Sequence, residues 1–73
     1  MAQWMKPVFS EMVSEVGYDT ETEELLVKFA KNGKVAAYKG ASEGLAEELS
    51  RAQSVGSMFL REIKPFYTDW RYV

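Results

Sequence analysis

Glu24-Leu25-Leu26-Val27-Lys28-Phe29-Ala30-Lys31-Asn32-Gly33-Lys34-Val35-Ala36-Ala37-Tyr38-Lys39 decides how this chain is read. Leu25, Val27 and Phe29 recur with a period of two, which places them on one face of a strand, and β-branched and aromatic residues suit a pleated, half-buried surface. Asn32-Gly33 interrupts the pattern between two such runs. Both residues tolerate positive φ, so the pair is a strong hairpin signal and the chain is expected to reverse there. Val35 to Lys39 then returns as a second strand closed by Gly40, with Tyr38 on the face opposite Val35 and Ala37.

Upstream, Met12, Val16 and Tyr18 alternate with Val13, Glu15 and Gly17, a period of two that predicts a strand from Met12 to Tyr18 with Ser14 on its inner set. The polar stretch Asp19-Thr20-Glu21-Thr22-Glu23 reads as its turn into Glu24, completing a three-stranded antiparallel meander. Downstream of Gly40 the period changes. Leu45, Leu49 and Ala52 fall at helical spacing, Ser42 can cap, and Glu43 suits the positive end of a helix dipole. Ser54 can cap a second helix carrying Val55, Phe59 and Ile63, which Pro65 ends at about Lys64. The expected fold is therefore α+β: a three-stranded antiparallel meander followed by two short helices packed on one face. Leu25, Val27, Phe29, Leu45, Leu49, Phe59 and Ile63 form its expected core. The other face would leave Leu26, Ala36 and Tyr38 in need of a cover.

The chain has 73 residues and no cysteine, so a single core must hold it without disulfides. No apolar run reaches the roughly 20 residues of a membrane span, and Met1 to Pro7 lacks a signal-peptide core. The expectation is a soluble, cytoplasmic protein, monomeric when free, with no membrane partner. Net charge is −2. Residues 1 to 50 hold five Lys and nine Asp or Glu, whereas residues 51 to 73 hold four basic and two acidic residues, so the last third is basic. That polarity falls short of the clustered charge of a strong duplex-DNA binder.

Histidine is absent as well as cysteine, leaving no standard nucleophile and base pair, so the chain is not expected to be an enzyme. Asp19, Glu21 and Glu23 alternate like calcium-loop ligands. Glu24 and Ala30, however, stand where an EF-hand needs its glycine and its bidentate glutamate, and no metal or other cofactor is expected. Ser54-Val55-Gly56-Ser57 reads as a helix cap, with an anion site as the lesser alternative given Arg51, Arg61 and Lys64 nearby.

The two ends carry Trp4, Phe9, Phe66, Tyr67, Trp70 and Tyr72, six of the ten aromatic residues, which is not the composition of a solvated tail. At the N-terminal end, Trp4, Lys6, Val8 and Phe9 have the character of protein-binding anchors; the segment could pair with a sheet edge, fill a partner's groove or tuck against its own sheet. At the other end Arg61, Lys64, Trp70 and Arg71 form a second candidate partner-binding surface. Its mixture of basic and aromatic side chains can stack on bases and neutralise phosphates, or its aromatics can complete the core.

Ser10-x-Met12-x-x-x-Val16-Gly17-Tyr18-Asp19, Leu25-x-Val27-x-Phe29, Gly33, Tyr38-x-Gly40, Leu49-x-x-Ala52-x-Ser54-x-Gly56 and Ile63-Lys64-x-x-Tyr67 together resemble the KTSC domain, a family named for its occurrence at the C-terminus of some lysyl-tRNA synthetases. The resemblance divides the chain into an extension (1–9), a KTSC-like domain (10–67) and an aromatic, basic tail (68–73). Ala41 stands where the family usually has valine. The synthetase link implies RNA contact. In size and character the chain is also similar to small host-directed transcription regulators of lytic bacteriophages. That similarity implies binding to bacterial RNA polymerase, with inhibition of initiation or antitermination. The leading expectation is a non-enzymatic module that binds an RNA polymerase subunit, and the alternative is an RNA-binding module using the C-terminal stretch.

Overall fold

The computed structural model describes residues 3–73. Its centre is the hairpin read from Asn32-Gly33. Gly33 lies at φ 71°, the left-handed conformation that only glycine adopts freely. The Asn32 side chain closes the turn by accepting the Lys34 N–H at 2.9 Å. The hairpin joins β3 (Glu24–Phe29) to β4 (Val35–Lys39), and β2 (Val13–Asp19) pairs antiparallel with β3 on the other side. Asp19 Oδ1 holds the β2–β3 turn by accepting the N–H groups of Glu21 and Thr22, at 2.9 and 3.3 Å.

The expected three-stranded meander is corrected to a five-stranded antiparallel sheet, in chain order from β1 (Gln3–Pro7) to β5 (Trp70–Tyr72). The two ends supply the edge strands. Gln3 to Pro7 pair with Asp19 to Glu15, and Trp70, Arg71 and Tyr72 pair with Tyr38, Ala37 and Ala36. Periodicity misses these strands because they are short and because an edge strand is not buried on both sides.

A bulge shifts the β2–β3 register between Val13 and Glu15. The extra residue brings Val13 and Val16, three positions apart, to the same side, and both are fully buried while Met12 is 36% exposed. Cross-strand pairs Leu25↔Tyr38 and Val27↔Ala36 also correct the expected faces, because directly paired residues share one. Tyr38 and Ala36 therefore lie in the main core under the helices, and the opposite face carries Leu26 and Ala37, both buried.

After β4, Ser42 Oγ accepts the Leu45 N–H at 3.1 Å and starts α1 (Glu43–Ser50). Ala46 and Leu49 face the sheet and are fully buried. The second helix, α2 (Val55–Met58), runs directly into a π-helical turn, Phe59–Ile63, closed by the Lys64 N–H bonding the Phe59 carbonyl at 3.0 Å. Ser54 precedes α2 but makes no side-chain capping bond. Both helices cover one face of the sheet. The main core joins Val13, Val16, Tyr18, Leu25, Val27, Ala36 and Tyr38 of the sheet to Ala46, Leu49, Val55, Phe59 and Ile63 of the helices.

Candidate functional site

The helices leave the β4–β5 end of their face uncovered, and an apolar groove opens there. Its floor is a chain of rings. Phe59 meets Phe29 and Tyr38 edge-on, with centroids 5.8 and 5.7 Å apart, and Tyr38 stacks on Trp70 at 5.8 Å. Tyr72 meets Trp70 edge-on at 5.2 Å. The π turn forms one wall. With Phe59 and Ile63 directed inward, Leu60 and Lys64 are presented at the surface, the first 44% exposed. Met12, released from the core by the β2 bulge, lines the other side.

The deeper part, about 270 Å³, is bounded by Met12, Phe29, Tyr38, Phe59, Leu60, Lys64, Trp70 and Tyr72. A continuation of about 400 Å³ shares Met12, Phe29 and Tyr72 and adds Glu11, Lys31 and Asn32. The cationic rim consists of Lys31, Lys64 and Lys34, whose Nζ lies 5.1 Å from the centre of the Tyr72 ring. Exposed apolar side chains on one face that the fold does not need are a mark of a docking surface.

Trp70 and Lys64, among the residues expected from the sequence to bind a partner, belong to this groove. Arg71, between Trp70 and Tyr72, points to the opposite face. Its Nη2 and Nε donate to Glu24 Oε1 and Oε2 at 3.0 and 3.3 Å. Glu24 is only 1% exposed, and those bonds hold its carboxyl below the usual carboxylate range against the opposing effect of burial. Arg61 is exposed and does not line the groove.

The N-terminal set lies on β1 and the loop after it, at the far edge of the sheet. Trp4 packs half-buried against the core and donates its indole N–H to Glu43 Oε2 at 2.8 Å. Lys6 sits 5.2 Å from the centre of the Trp4 ring, Val8 packs against the core, and Phe9 is fully exposed. The eight expected residues thus fall in separate places. Met12, Leu60 and Tyr72 are exposed groove residues outside the eight, and Phe29, Tyr38 and Phe59, which form the floor, are outside them too; Leu60 falls off the apolar period of its helix, and Tyr72 enters the sequence reading only as one of the terminal aromatics.

Two other concavities lie elsewhere on the surface. Around Ser54-Val55-Gly56-Ser57 a depression of about 370 Å³ also includes Phe9, Ser10, Glu11, Met12, Gln53 and Leu60, and none of Arg51, Arg61 and Lys64 lines it. A polar cleft of about 470 Å³ lies between the β2–β3 turn and α1, lined by Tyr18, Thr22, Glu23, Lys39, Gly40, Ala41, Ser42 and Glu43. Burial, then the charges of Glu23, Glu43 and Asp19, push the Tyr18 phenol up, so it stays protonated at neutral pH. Among the described residues no group of three acidic side chains is arranged to hold a metal ion, and no helix is long and apolar enough to cross a membrane.

A five-stranded antiparallel sheet with one helical layer and a groove at its β5 end defines the class: a small α+β domain whose distinctive surface is apolar and aromatic. The chain belongs to the KTSC domain family, whose model matches residues 9–67. It is similar to a KTSC domain protein from Yersinia pestis, known from a crystal structure, at 28% identity and a TM-score of 0.84, covering 99% of each chain. That similarity runs past both ends of the family match and takes in β1 and β5. No curated protein matches the chain.

Proposed function

We propose that this KTSC domain is a non-enzymatic protein-binding module, monomeric when free, and that its docking surface is the aromatic groove between β5 and the π turn. The observation that carries the reading is the exposure of Met12, Leu60, Trp70 and Tyr72 around one concavity, at 36, 44, 44 and 51%. Burying such side chains against a partner recovers roughly 25 cal/mol per Å² of apolar surface. The aromatic and aliphatic mixture is that of an interface centre.

The finer reading is that the partner is a subunit of bacterial RNA polymerase, and that docking alters initiation or termination in a bacterial cytoplasm. It rests on the size and character of the chain, and the groove supports the protein-binding class to which it belongs. Affinity capture from bacterial lysate with mass identification tests both, using the wild type and Leu60→Asp. Polymerase subunits recovered by the wild type and lost with the variant are the expected result. Recovery of no polymerase subunit by the folded wild type removes that partner. Capture unaffected by Leu60→Asp removes the groove.

The RNA-binding alternative is less favoured because the basic and aromatic residues it would combine are not on one surface. Arg61 does not line the aromatic groove, and Arg71 faces the other side of the sheet, beside Glu24. Phosphate contacts would make binding fall steeply with salt, so an RNA titration showing strong, salt-sensitive affinity would restore this alternative.

A further inference from the structure

We infer that the groove takes an extended peptide segment that adds to the sheet as a strand beside β5, placing apolar side chains over the groove and acidic ones toward the cations around it. The inference rests on the protein-binding reading above and specifies the conformation and chemistry of the partner segment.

Strand geometry is the first support. The Lys39 N–H bonds the Asp69 carbonyl and the Val73 N–H bonds the Val35 carbonyl, each at 2.9 Å, so Asp69, Arg71 and Val73 turn their backbone groups toward β4. By the alternation of an antiparallel ladder, the N–H and C=O groups of Trp70 and Tyr72 point the other way, to the open edge. No strand of the described residues lies beyond β5. The same two residues supply groove side chains, so one added strand would satisfy the edge and cover the groove together.

The two edges differ in how they resist such pairing. β1 contains Lys6 and Pro7, the residue types that discourage pairing at an edge. β5, Trp-Arg-Tyr, has no proline, and its protection is its short length and the single charge of Arg71, which Glu24 already pairs. Being three residues long, it offers few backbone bonds. Affinity must come chiefly from side chains in the groove, and the backbone sets direction and register.

Charge identifies the occupant. The chain carries −2 overall, yet the groove rim holds Lys31, Lys34 and Lys64 against Glu11. On the other face of β5, the Arg71 side chain is still 56% exposed beyond its bonds to Glu24. A strand added to β5 alternates between these faces. Its residues opposite Trp70 and Tyr72 meet the apolar groove, and its intervening residues meet Arg71. The complementary segment therefore alternates apolar and acidic residues and carries acidic flanks for the lysines.

The test uses the full chain, labelled with ¹⁵N, and a capped synthetic peptide alternating glutamate and valine. Two comparison peptides replace glutamate by lysine or N-methylate the valines. The expected result is saturable shifts at Leu60, Trp70 and Tyr72, slowed hydrogen exchange of the Trp70 and Tyr72 amides, and binding about tenfold weaker for each comparison peptide. Binding without slowed exchange at those amides, or equal binding by the N-methylated peptide, overturns strand addition and leaves the groove as a docking surface. Equal binding by the lysine peptide overturns the acidic partner. No saturable shift with any peptide overturns the inference as a whole. The groove itself is judged separately, by whether Leu60→Asp abolishes partner capture.

Discussion

Gly17 of β2 is paired with Met5 of β1. A Cβ there would fall inside contact distance of the Trp4 carbonyl oxygen and the Met5 sulfur, so the glycine of the Gly-Tyr-Asp motif is explained by the approach of another backbone. Gly17→Ala is expected to destabilise the domain by roughly 1–3 kcal/mol, measured by denaturant unfolding, because an overpacked site must push the edge strand away. The Glu24–Arg71 pair calls for a different measurement. Glu24 has its folded-state pKa lowered, so it contributes stability that is present above its unfolded pKa of about 4.3 and is lost as pH falls through the folded value. Arg71→Met leaves that carboxylate buried without its partner. The variant should melt well below the wild type at pH 7, and the gap should narrow as the pH is lowered through the acidic range. A gap independent of pH would mean that Arg71 acts through packing alone.

Among the elements, the hairpin and the edge strands show how differently structure can be written in sequence. Asn32-Gly33 with its alternating flanks is local information, and β3, β4 and their turn were legible from it. β1 and β5 are not encoded in that way. Each is defined by what it lies against, and Trp4 and Trp70 revealed only that the ends had something to bury. Deleting residues 1 to 9 should therefore remove a structural edge of the sheet and the Trp4–Glu43 bond, with loss of cooperative unfolding by circular dichroism. The π turn makes the complementary case. Phe59, 3% exposed and edge-on to both Phe29 and Tyr38, should cost roughly 3–5 kcal/mol as Phe59→Ala. Leu60→Asp, one residue away, should change stability by no more than about 0.5 kcal/mol, since Leu60 is a surface residue.

For the molecule as a whole, charge and shape must be read together. A chain with net −2 that gathers lysines around one apolar groove should attract an acidic segment locally. Raising salt should chiefly slow association with the glutamate–valine peptide and leave its dissociation nearly constant, in stopped-flow or surface binding kinetics. The family signature covers only part of this surface. Asp19 closes a turn, Gly17 admits β1, Gly33 turns the hairpin, and Tyr18 and Ile63 fill the core, so these motif residues serve the fold, whereas Met12, Phe29, Tyr38 and Lys64 also line the groove. Trp70 and Tyr72 stand beyond residue 67, where the family match ends. By itself the sequence determined the α+β class, the central hairpin, the succession of two helical segments, and the family, because these depend on local periodicity and on motifs contiguous enough to read. Only the tertiary structure decided that the aromatic ends are edge strands, that the β2 bulge turns Met12 outward, and that Trp70 and Arg71, adjacent in sequence, serve opposite faces. Those outcomes arise from pairing between segments far apart in the chain, and no local pattern carries them.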